Sequence, residues 1–298
     1  MVGFIGIGMM GAPMTENLIK AGFEVMVYDI RPETTENAVR LGAKLASNPS
    51  DMAACEVVFI MANTFDQVKD VVLGEDGIVQ DLRGEEQLTL VVMSTVSPNL
   101  MKDLSNTIKN KKIGLIDAPV SGGPVKAQEG LLSFMVGGDK DAVDSIKPYL
   151  QAMGKNILHV GPLGSGLATK LVNNIITFTT LCVIPEAFRI GLKGGLNIRT
   201  MVEVMRVSTA NNWHFDHWSS YVDFLGMLLG DPKAHKSLNL IAIKDIQTAL
   251  AWSKELEYEA NVLEGALDMI KSAVRSGGLI TEELFDQMVN ANISNKEQ

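Results

Sequence analysis

The chain opens with a short apolar run, residues 2–7, that leads directly into a glycine-rich turn with the spacing G-x-G-x-x-G. In this pattern the first glycine permits a tight turn, the second lets the backbone approach a pyrophosphate, and the third lets the next helix lie close to the strand. Residues 8–21 have helical spacing, so the context is strand, turn and helix. The turn therefore predicts dinucleotide binding, with these cofactor-binding residues: Gly6, Ile7, Gly8, Met9, Met10 and Gly11.

The rest of the first half alternates between short apolar runs and segments with helical spacing. Further strands are predicted at residues 24–28, 57–61, 88–93 and 114–117, with two more candidates at 132–136 and 157–160. Helices are predicted between them at residues 34–41, 65–73 and 102–109. Strands separated by helices of this length form β-α-β units. We therefore predict an α/β Rossmann domain with a parallel sheet over residues 1–162.

The second half is helical in pattern, and no convincing strand follows Gly166. Residues 167–193 form one long apolar stretch that ends at Gly194-Gly195. Its apolar residues occur nearly all round the helix, which predicts burial on every side. Further helices are predicted at residues 198–207, 218–229, 238–255 and 260–276. We therefore predict an all-α substrate and oligomerisation domain over residues 163–298, joined to the first domain by this long interdomain helix.

Composition excludes some classes of partner. The net charge of -9 argues against nucleic acid, because phosphate backbones require basic patches. The two cysteines, Cys55 and Cys182, are isolated in sequence, which fits a reducing compartment. No targeting segment is recognisable after Met1, and the apolar stretch at 171–184 is interrupted by two asparagines and too short to span a bilayer. These features predict a soluble cytoplasmic protein with no membrane partner.

An acidic residue follows the second predicted strand, in Val27-Tyr28-Asp29-Ile30-Arg31. A carboxylate at this position accepts hydrogen bonds from the ribose hydroxyls of NAD and repels the additional phosphate of NADP. Arg31 could instead pair with that phosphate. The sequence thus favours NAD as the cofactor, with NADP as the alternative.

A lysine and an asparagine lie one helical turn apart, at Lys170 and Asn174. Oxidation of an alcohol by a nicotinamide cofactor needs a base that removes the hydroxyl proton. A lysine acts in this way when burial or a nearby positive charge lowers its pKa. The neighbouring amide can donate to the substrate oxygen without changing the local charge. On these residues alone, an ordinary helix whose lysine extends into solvent is equally compatible.

Four motifs resemble those of the β-hydroxyacid dehydrogenases, which include 3-hydroxyisobutyrate dehydrogenase and tartronate semialdehyde reductase. They occur in order along nearly the whole chain: Gly6-Ile-Gly8-Met-Met-Gly11-Ala-Pro-Met14, Asp117-Ala-Pro-Val-Ser121-Gly122-Gly123, the Lys170 segment, and Lys244-Asp245 with Ala249. The resemblance implies a Rossmann domain, a 6-phosphogluconate dehydrogenase-like helical domain, and an active site in the cleft between them. It also implies a small anionic hydroxy-acid or semialdehyde substrate and a homodimer or homotetramer.

The resemblance further implies roles for single residues. Ser121, Gly122 and Gly123 would hold the substrate carboxylate. Lys170 would be the general acid and base, with Asn174 orienting the substrate. Thr95 would contact the cofactor, and Lys244 would line the cofactor end of the cleft with Asp245 supporting it. Asn63 is a further cofactor-binding candidate.

This chain departs from the family pattern at several positions. Lys126 replaces the usual Gly and could bind a second anionic group of the substrate or extend into solvent. Leu131, Ser237, Asn63 and Met93 replace the usual Thr, Phe, Pro and Asp. These changes leave the implied acid–base pair intact and bear on the identity of the substrate.

The segment from Trp213 to Trp218 is a further peculiarity. Trp213 could form an aromatic wall of the substrate pocket or contribute to helix packing. His214 and His217 are spaced like metal ligands, but no third ligand follows nearby, so we predict no metal site.

Other functions share this architecture. A decarboxylating 6-phosphogluconate dehydrogenase would have His and Glu where Asn173 and Thr177 stand. Imine reductases and non-catalytic cofactor-binding modules usually lack the lysine at position 170. Reduction of a related aldehyde, such as succinic semialdehyde, glyoxylate or a sulfonate analogue, remains the nearest alternative to a 3-hydroxyacid dehydrogenase.

Overall fold

The computed structural model describes residues 1–82, 88–109, 111, 113–276 and 280–291. The chain divides into two compact units, Met1–Val172 and Asn173–Gln298. The division falls inside a continuous helix, ten residues beyond the boundary expected from the sequence.

The first unit contains nine strands and six α-helices in its described part. The strands are β1 Val2–Ile5, β2 Val25–Tyr28, β3 Lys44–Leu45, β4 Val57–Ile60, β5 Leu88–Val92, β6 Ile113–Asp117, β7 Val120–Ser121, β8 Leu132–Gly137 and β9 Gly154–Gly161. The α-helices are α1 Gly11–Lys20, α2 Glu36–Arg40, α3 Phe65–Leu73, α4 Pro98–Ile108, α5 Gly123–Gln128 and α6 Lys140–Met153. Short 3₁₀ helices occur at Pro32–Thr34, Pro49–Ala54 and Ile78–Gln80.

The sheet has the strand order β3-β2-β1-β4-β5-β6-β8-β7, and β9 pairs with β8. All pairs from β3 to β6 are parallel, which confirms the predicted Rossmann arrangement. The sheet is mostly parallel, and towards one end β8 runs antiparallel to both β6 and β7. The segment between β7 and β8 holds only the short helix α5, and a parallel return needs a longer crossover.

Both faces of this sheet are buried, so its central strands are almost wholly apolar. Phe4 and Phe59 point into a core on one face of the sheet, and their rings lie 5.9 Å apart. Ile5, Val58 and Ile60 alternate with them and enter the core on the other face. The alternation fixes the register of β1 and β4, since a slip of one residue would exchange the two faces.

The second unit is helical throughout its described residues. Its helices are the C-terminal part of α7 Ser165–Lys193, α8 Ile198–Val207, α9 Trp213–Asp216, α10 Trp218–Gly230, α11 Pro232–Glu255, α12 Asn261–Ser276 and α13 Glu282–Asn290. The core of this unit includes Phe188, Phe215, Trp218 and Tyr221, with Leu284 from the last helix. This arrangement confirms the predicted helical second half.

The sequence predicts that the helix α7 is buried on every side, and this prediction is wrong. Val172, Ile176, Val183 and Ile190 are between 48% and 67% exposed. A helix with apolar residues all round has almost no amphipathic direction, so its sequence does not reveal which side is covered.

By length and composition, α7 could also cross a membrane. Its most apolar 18-residue window has a mean hydropathy of 1.5, and 28% of that window is buried. The expectation that this stretch is too short was based on residues 171–184 alone, whereas the helix has 29 residues. Core helices of soluble proteins reach the same values, so this property is weak evidence for a membrane span.

Candidate active site

The turn after β1 is so closely packed that two of its glycines have no room for a side chain. Gly6 has a φ of +93°, and a Cβ there would lie 2.2 Å from the carbonyl oxygen of Met61. A Cβ on Gly11 would lie 1.9 Å from the carbonyl oxygen of Gly6. At Gly8 the nearest atom is Arg31 Nη2 at 3.8 Å, so this part of the turn leaves space. The turn thus fits a pyrophosphate approaching at Gly8, with the helix α1 starting behind it.

Asp29 follows β2 and is tied to the glycine-rich turn. Its Oδ2 accepts a hydrogen bond of 2.8 Å from the backbone N–H of Ile7, and its Oδ1 accepts one of 2.9 Å from that of Arg31. The Arg31 Nε lies 3.5 Å from the same Oδ1, and the arginine side chain is 59% exposed. A carboxylate and a guanidinium therefore stand together at the end of β2, where the adenosine ribose of a dinucleotide would bind.

The remaining cofactor-binding candidates of this unit lie at the same edge of the sheet. Asn63 and Thr95 follow β4 and β5, which run parallel to β1. Asn63 is exposed, and its backbone N–H donates to Gln67 Oε1 over 2.9 Å. Met9 is exposed, whereas Met10 packs against the core of the sheet. Ligands of open α/β sheets bind at this carboxyl edge.

The predicted substrate turn has an unusual backbone. Ser121 ends β7, and the next two residues, Gly122 and Gly123, both have positive φ values, +138° and +72°. A Cβ on Gly122 would lie 3.0 Å from the Cβ of Lys126, whose charged end is on the surface. Consecutive residues of this kind can aim backbone N–H groups at an anion.

Asp117 ends β6, and its side chain is fully buried. Its Oδ1 accepts a hydrogen bond of 2.7 Å from the backbone N–H of Gly164, and its Oδ2 accepts one of 2.7 Å from that of Leu167. Burial raises the pKa of the Asp117 carboxyl to about 6, although these N–H groups oppose the shift. The carboxylate therefore holds the start of α7 against the end of β6.

The helix α7 carries Lys170 in its second turn and Asn174 one turn later. Lys170 is half-buried, and Asn174 is buried. Residues four apart lie on the same face of a helix, so the ammonium and the amide share one side of α7.

In the second unit, the Asn174 amide is fixed by a carboxylate from α11. Its Nδ2 donates a hydrogen bond of 2.6 Å to Asp245 Oδ2, and its Oδ1 accepts one of 3.1 Å from Asn173 Nδ2. The Lys244 Nζ lies 2.7 Å from Asp245 Oδ1, an ion pair without hydrogen-bond geometry. Because a carboxylate only accepts, this contact sets which end of the amide faces Asp245 and leaves one Nδ2 hydrogen for another acceptor.

Trp213 begins α9, and half of its surface is exposed. Its ring is stacked on His217, with 4.7 Å between centroids, and meets His214 edge-on at 5.6 Å. Burial lowers the pKa of His214, whose ring also contacts Tyr221. Across the described ranges, no three His, Cys, Asp or Glu side chains are grouped so that they could hold a metal ion.

Two family models cover the chain. Residues 1–161 match the one described as the NAD binding domain of 6-phosphogluconate dehydrogenase. Residues 164–290 match the one described as "NAD-binding of NADP-dependent 3-hydroxyisobutyrate dehydrogenase".

Curated relatives agree with these models. An NAD-dependent L-serine dehydrogenase of Pseudomonas aeruginosa is 34% identical over 222 residues, which are 74% of this chain and 74% of that protein. A 3-hydroxyisobutyrate dehydrogenase of the same organism is 36% identical over 215 residues, which are 71% of each protein. The chain belongs to the β-hydroxyacid dehydrogenase family.

A solved structure supports the same assignment over the full length. The 3-hydroxyisobutyrate dehydrogenase of Mycobacterium tuberculosis, determined with L-serine, has a TM-score of 0.81 at 25% identity and covers 98% of this chain and 99% of its own. This chain is therefore an NAD(P)-dependent hydroxyacid dehydrogenase, and its cofactor is NAD or NADP. The reaction class and the fold predicted from the four motifs are confirmed.

Two features of this β-hydroxyacid dehydrogenase were not found from the sequence. Asp117 was part of a quoted motif but had no role, although a carboxylate at the end of a strand and before a glycine turn is a recognisable signal. The bond between Asn174 and Asp245 joins residues 71 apart in sequence. No local pattern indicates such a contact.

The geometry at β2 predicts how cofactor choice responds to substitution. Asp29→Ser should lower the ratio of kcat/KM for NAD to that for NADP, because the carboxylate that would bind the ribose and repel the phosphate is removed. Arg31→Ala should change the ratio in the opposite direction, because it removes the nearby cation. Initial rates with both cofactors measure the two ratios. Equal ratios in both variants and the wild type would contradict this role of the Asp29–Arg31 pair.

The buried Asp117 carboxyl predicts a pH dependence of stability. Because its pKa is raised to about 6, the native state binds more protons than the unfolded chain between about pH 4 and pH 6. Its contribution is fully present below this window and is lost as the pH rises through 6. The unfolding free energy of the wild type minus that of Asp117→Asn should therefore fall by roughly 3 kcal/mol between pH 4 and pH 7. Urea titrations of both proteins measure this difference, and a pH-independent difference would refute it.

Proposed function

We propose that this enzyme interconverts a short 3-hydroxy acid and its semialdehyde, with Lys170 as the general acid and base. The observation that carries the proposal is the pair on α7, in which Lys170 lies one turn before an amide held by Asp245. An amide fixed in this way can donate its free hydrogen to a substrate oxygen, and the lysine can exchange a proton with that oxygen.

The relatives narrow the substrate class. One is named for L-serine and the other for 3-hydroxyisobutyrate. Both molecules have a primary alcohol, a carbon with one variable substituent, and a carboxylate. The shared structure is HOCH₂–CH(X)–COO⁻, where X is an ammonium group in serine and a methyl group in hydroxyisobutyrate. We propose a substrate of this form, with the group at X left to the experiment below.

The Ser121-Gly122-Gly123 turn is our candidate for holding the carboxylate. Its two positive φ values and the Ser121 hydroxyl offer donors to a planar anion. The stem of Lys126 lies against Gly122, which brings a positive charge to the same turn. A substrate with a second anionic group would use this lysine, whereas a methyl or ammonium group at X would leave it in solvent.

The proposed chemistry needs one proton acceptor from the protein. When bound, NAD or NADP would supply the acceptor for the hydride of the alcohol carbon. The Lys170 amine takes the hydroxyl proton, and as the hydride leaves the carbon the former O–H electron pair becomes the second bond of the carbonyl. The Asn174 Nδ2 donates to this oxygen and keeps it beside Lys170 in both directions of the reaction. In reduction, the Lys170 ammonium returns the proton to the oxygen.

We favour NAD over NADP because Asp29 stands at the end of β2 with two oxygens already oriented. We also propose a soluble cytoplasmic enzyme. The support is that Cys55 and Cys182 are free thiols and not joined in a disulfide, as is usual in reducing compartments.

A substrate panel tests the proposal. NADH or NADPH formation is followed with L-serine, both enantiomers of 3-hydroxyisobutyrate, glycerate and 4-hydroxybutyrate. We expect turnover of at least one HOCH₂–CH(X)–COO⁻ acid and loss of that turnover in Lys170→Ala, by about 10²–10⁴-fold in kcat. Cofactor binding, measured by NADH fluorescence, should change only a few-fold, because Lys170 acts on the substrate.

Lys147→Ala is the matched control, since Lys147 is an exposed lysine on the surface helix α6. It should retain the wild-type rate. Lys170→Ala with a wild-type rate would eliminate Lys170 as the acid–base group. No turnover of any acid in the panel, with NADH still bound, would eliminate the substrate class.

We also propose that the enzyme is a homodimer or homotetramer in which α7 forms part of the contact. The support is the exposed apolar stripe of α7, whose members are spaced by four, seven and seven residues: Val172, Ile176, Val183 and Ile190. Such spacing keeps side chains on one side of a helix, and contiguous exposed apolar surface marks contacts between proteins.

Light scattering tests this proposal. The expected mass is two or four times 32.3 kDa, and the double variant Val183→Asp, Ile190→Asp should shift it towards a single chain. Val207→Asp is the control, because Val207 is 85% exposed on α8, outside the stripe. A wild-type mass of one chain would rule out the oligomer.

A further inference from the structure

Asp117 is an unusual residue for the interior of the Rossmann unit. It is completely excluded from solvent, yet each carboxylate oxygen accepts a different backbone N–H at 2.7 Å. The donors belong to Gly164, just before α7, and to Leu167, in the first turn of α7. The first N–H groups of a helix have no partner within the helix, so the carboxylate takes the place of a solvent or side-chain cap.

The surroundings of this carboxylate leave space for nothing larger. A Cβ on Gly137 would lie 2.5 Å from Asp117 Oδ1, and a Cβ on Gly166 would lie 2.8 Å from Oδ2. Gly164 adopts a φ of +91°, a conformation in which its N–H reaches the carboxylate. Gly137 and the Gly164-Ser165-Gly166 segment thus form a tight enclosure around one anion.

Folding stability alone does not account for this arrangement. Burial raises the pKa of the Asp117 carboxyl to about 6, which means that the ionised group is less favourable in the folded protein than in the unfolded chain. A neutral side chain would avoid that cost. Local features that lower stability occur preferentially where function requires a fixed geometry.

The position of Asp117 in the chain indicates what it fixes. Four residues after it lies Ser121, the first residue of the turn assigned to the substrate carboxylate. Three residues after its partner Leu167 lies Lys170. We propose that Asp117 is a positioning residue that sets the distance between Lys170 and the Ser121-Gly122-Gly123 turn. This inference rests on the proposed function, since it gives Lys170 the acid–base role.

The strand β6 is rigid, and the start of α7 is hydrogen-bonded to its last residue. Five residues of β6 are paired in register with β5, so the Cα of Asp117 has little freedom. Two hydrogen bonds then fix both the distance and the rotation of the first turn of α7, and Lys170 follows within one turn. A displacement of about 1 Å between a catalytic group and its substrate can lower the rate by about 10²-fold.

The substitution Asp117→Asn tests this proposal. It keeps the shape of the side chain and one acceptor oxygen, but the other oxygen becomes an NH₂ group that faces a backbone N–H and cannot bond to it. We expect kcat to fall by roughly 10²-fold, while the substrate KM and the NADH Kd change only a few-fold. The second measurement is the rate of the Lys170→Ala variant when it is rescued by added methylamine. Adding Asp117→Asn to this variant should not lower the rescued rate further, because a free amine is not positioned by α7.

Asp139→Asn is the matched control. Asp139 is the exposed N-cap of α6, and its Oδ1 accepts from the N–H groups of Asp141 and Ala142, but α6 carries no proposed site residue. Its kcat should equal that of the wild type. If Asp117→Asn does not yield folded protein, Asp117→Ser adds no volume and can satisfy at most one of the two N–H groups, and it should show the same Lys170-dependent loss.

The outcomes separate the two proposals. A wild-type kcat in Asp117→Asn, or an equal loss with and without Lys170, overturns the positioning role and leaves the acid–base role of Lys170 intact. A wild-type rate in Lys170→Ala alone overturns the proposed function itself. Loss in Asp117→Asn that disappears in the Lys170→Ala background supports both.

Discussion

The buried carboxylate of Asp117 is the contact on which the Rossmann unit and its last helix both depend. A strand end and a helix start each expose unpaired backbone groups, and burying them without partners is costly. Asp117 satisfies two N–H groups at once and lets α7 begin directly against the sheet. A side chain at Gly137 would collide with this carboxylate, and one at Gly166 would collide with it and with the Met135 carbonyl oxygen. The motif that contains Asp117 therefore has a structural component in addition to its resemblance to a substrate loop.

Most of the fold followed from the sequence because the signals were local. The glycine-rich turn, the short apolar runs and the loss of strands after Gly166 all act over a few residues, and the structure agrees with each of them. Helix α11 begins at Pro232, six residues before the predicted start at 238, and a proline is well tolerated in the first turn of a helix. Helix α6 was overlooked although Val143, Ile146, Leu150 and Met153 have helical spacing and are buried.

The features that could not be predicted from the sequence are those that depend on tertiary contacts. The antiparallel direction of β8 relative to β6 could not be recognised from composition, since parallel and antiparallel strands here are both apolar runs. The exposed side of α7 could not be recognised because its apolar residues have no preferred direction. Likewise, Lys170 and Asn174 were found from their spacing, but the carboxylate that orients the amide lies on another helix. Single catalytic or binding residues can be predicted from local motifs, whereas the contacts that orient them are formed only by the fold.

The bonds of Asp29 have a consequence for affinity. Before any ligand arrives, both of its oxygens are held by backbone N–H groups, so the side chain has one orientation and little rotational freedom left to lose. Ordering a flexible side chain on binding costs about 0.5–1.5 kcal/mol, and this site is spared that loss. Oδ2, which among the described residues accepts only the Ile7 N–H, also retains a second lone pair for a ribose hydroxyl. The adenosine end of the cofactor would thus meet a rigid surface, and its discrimination between two related dinucleotides would reflect charge and fit more than adaptation of the protein.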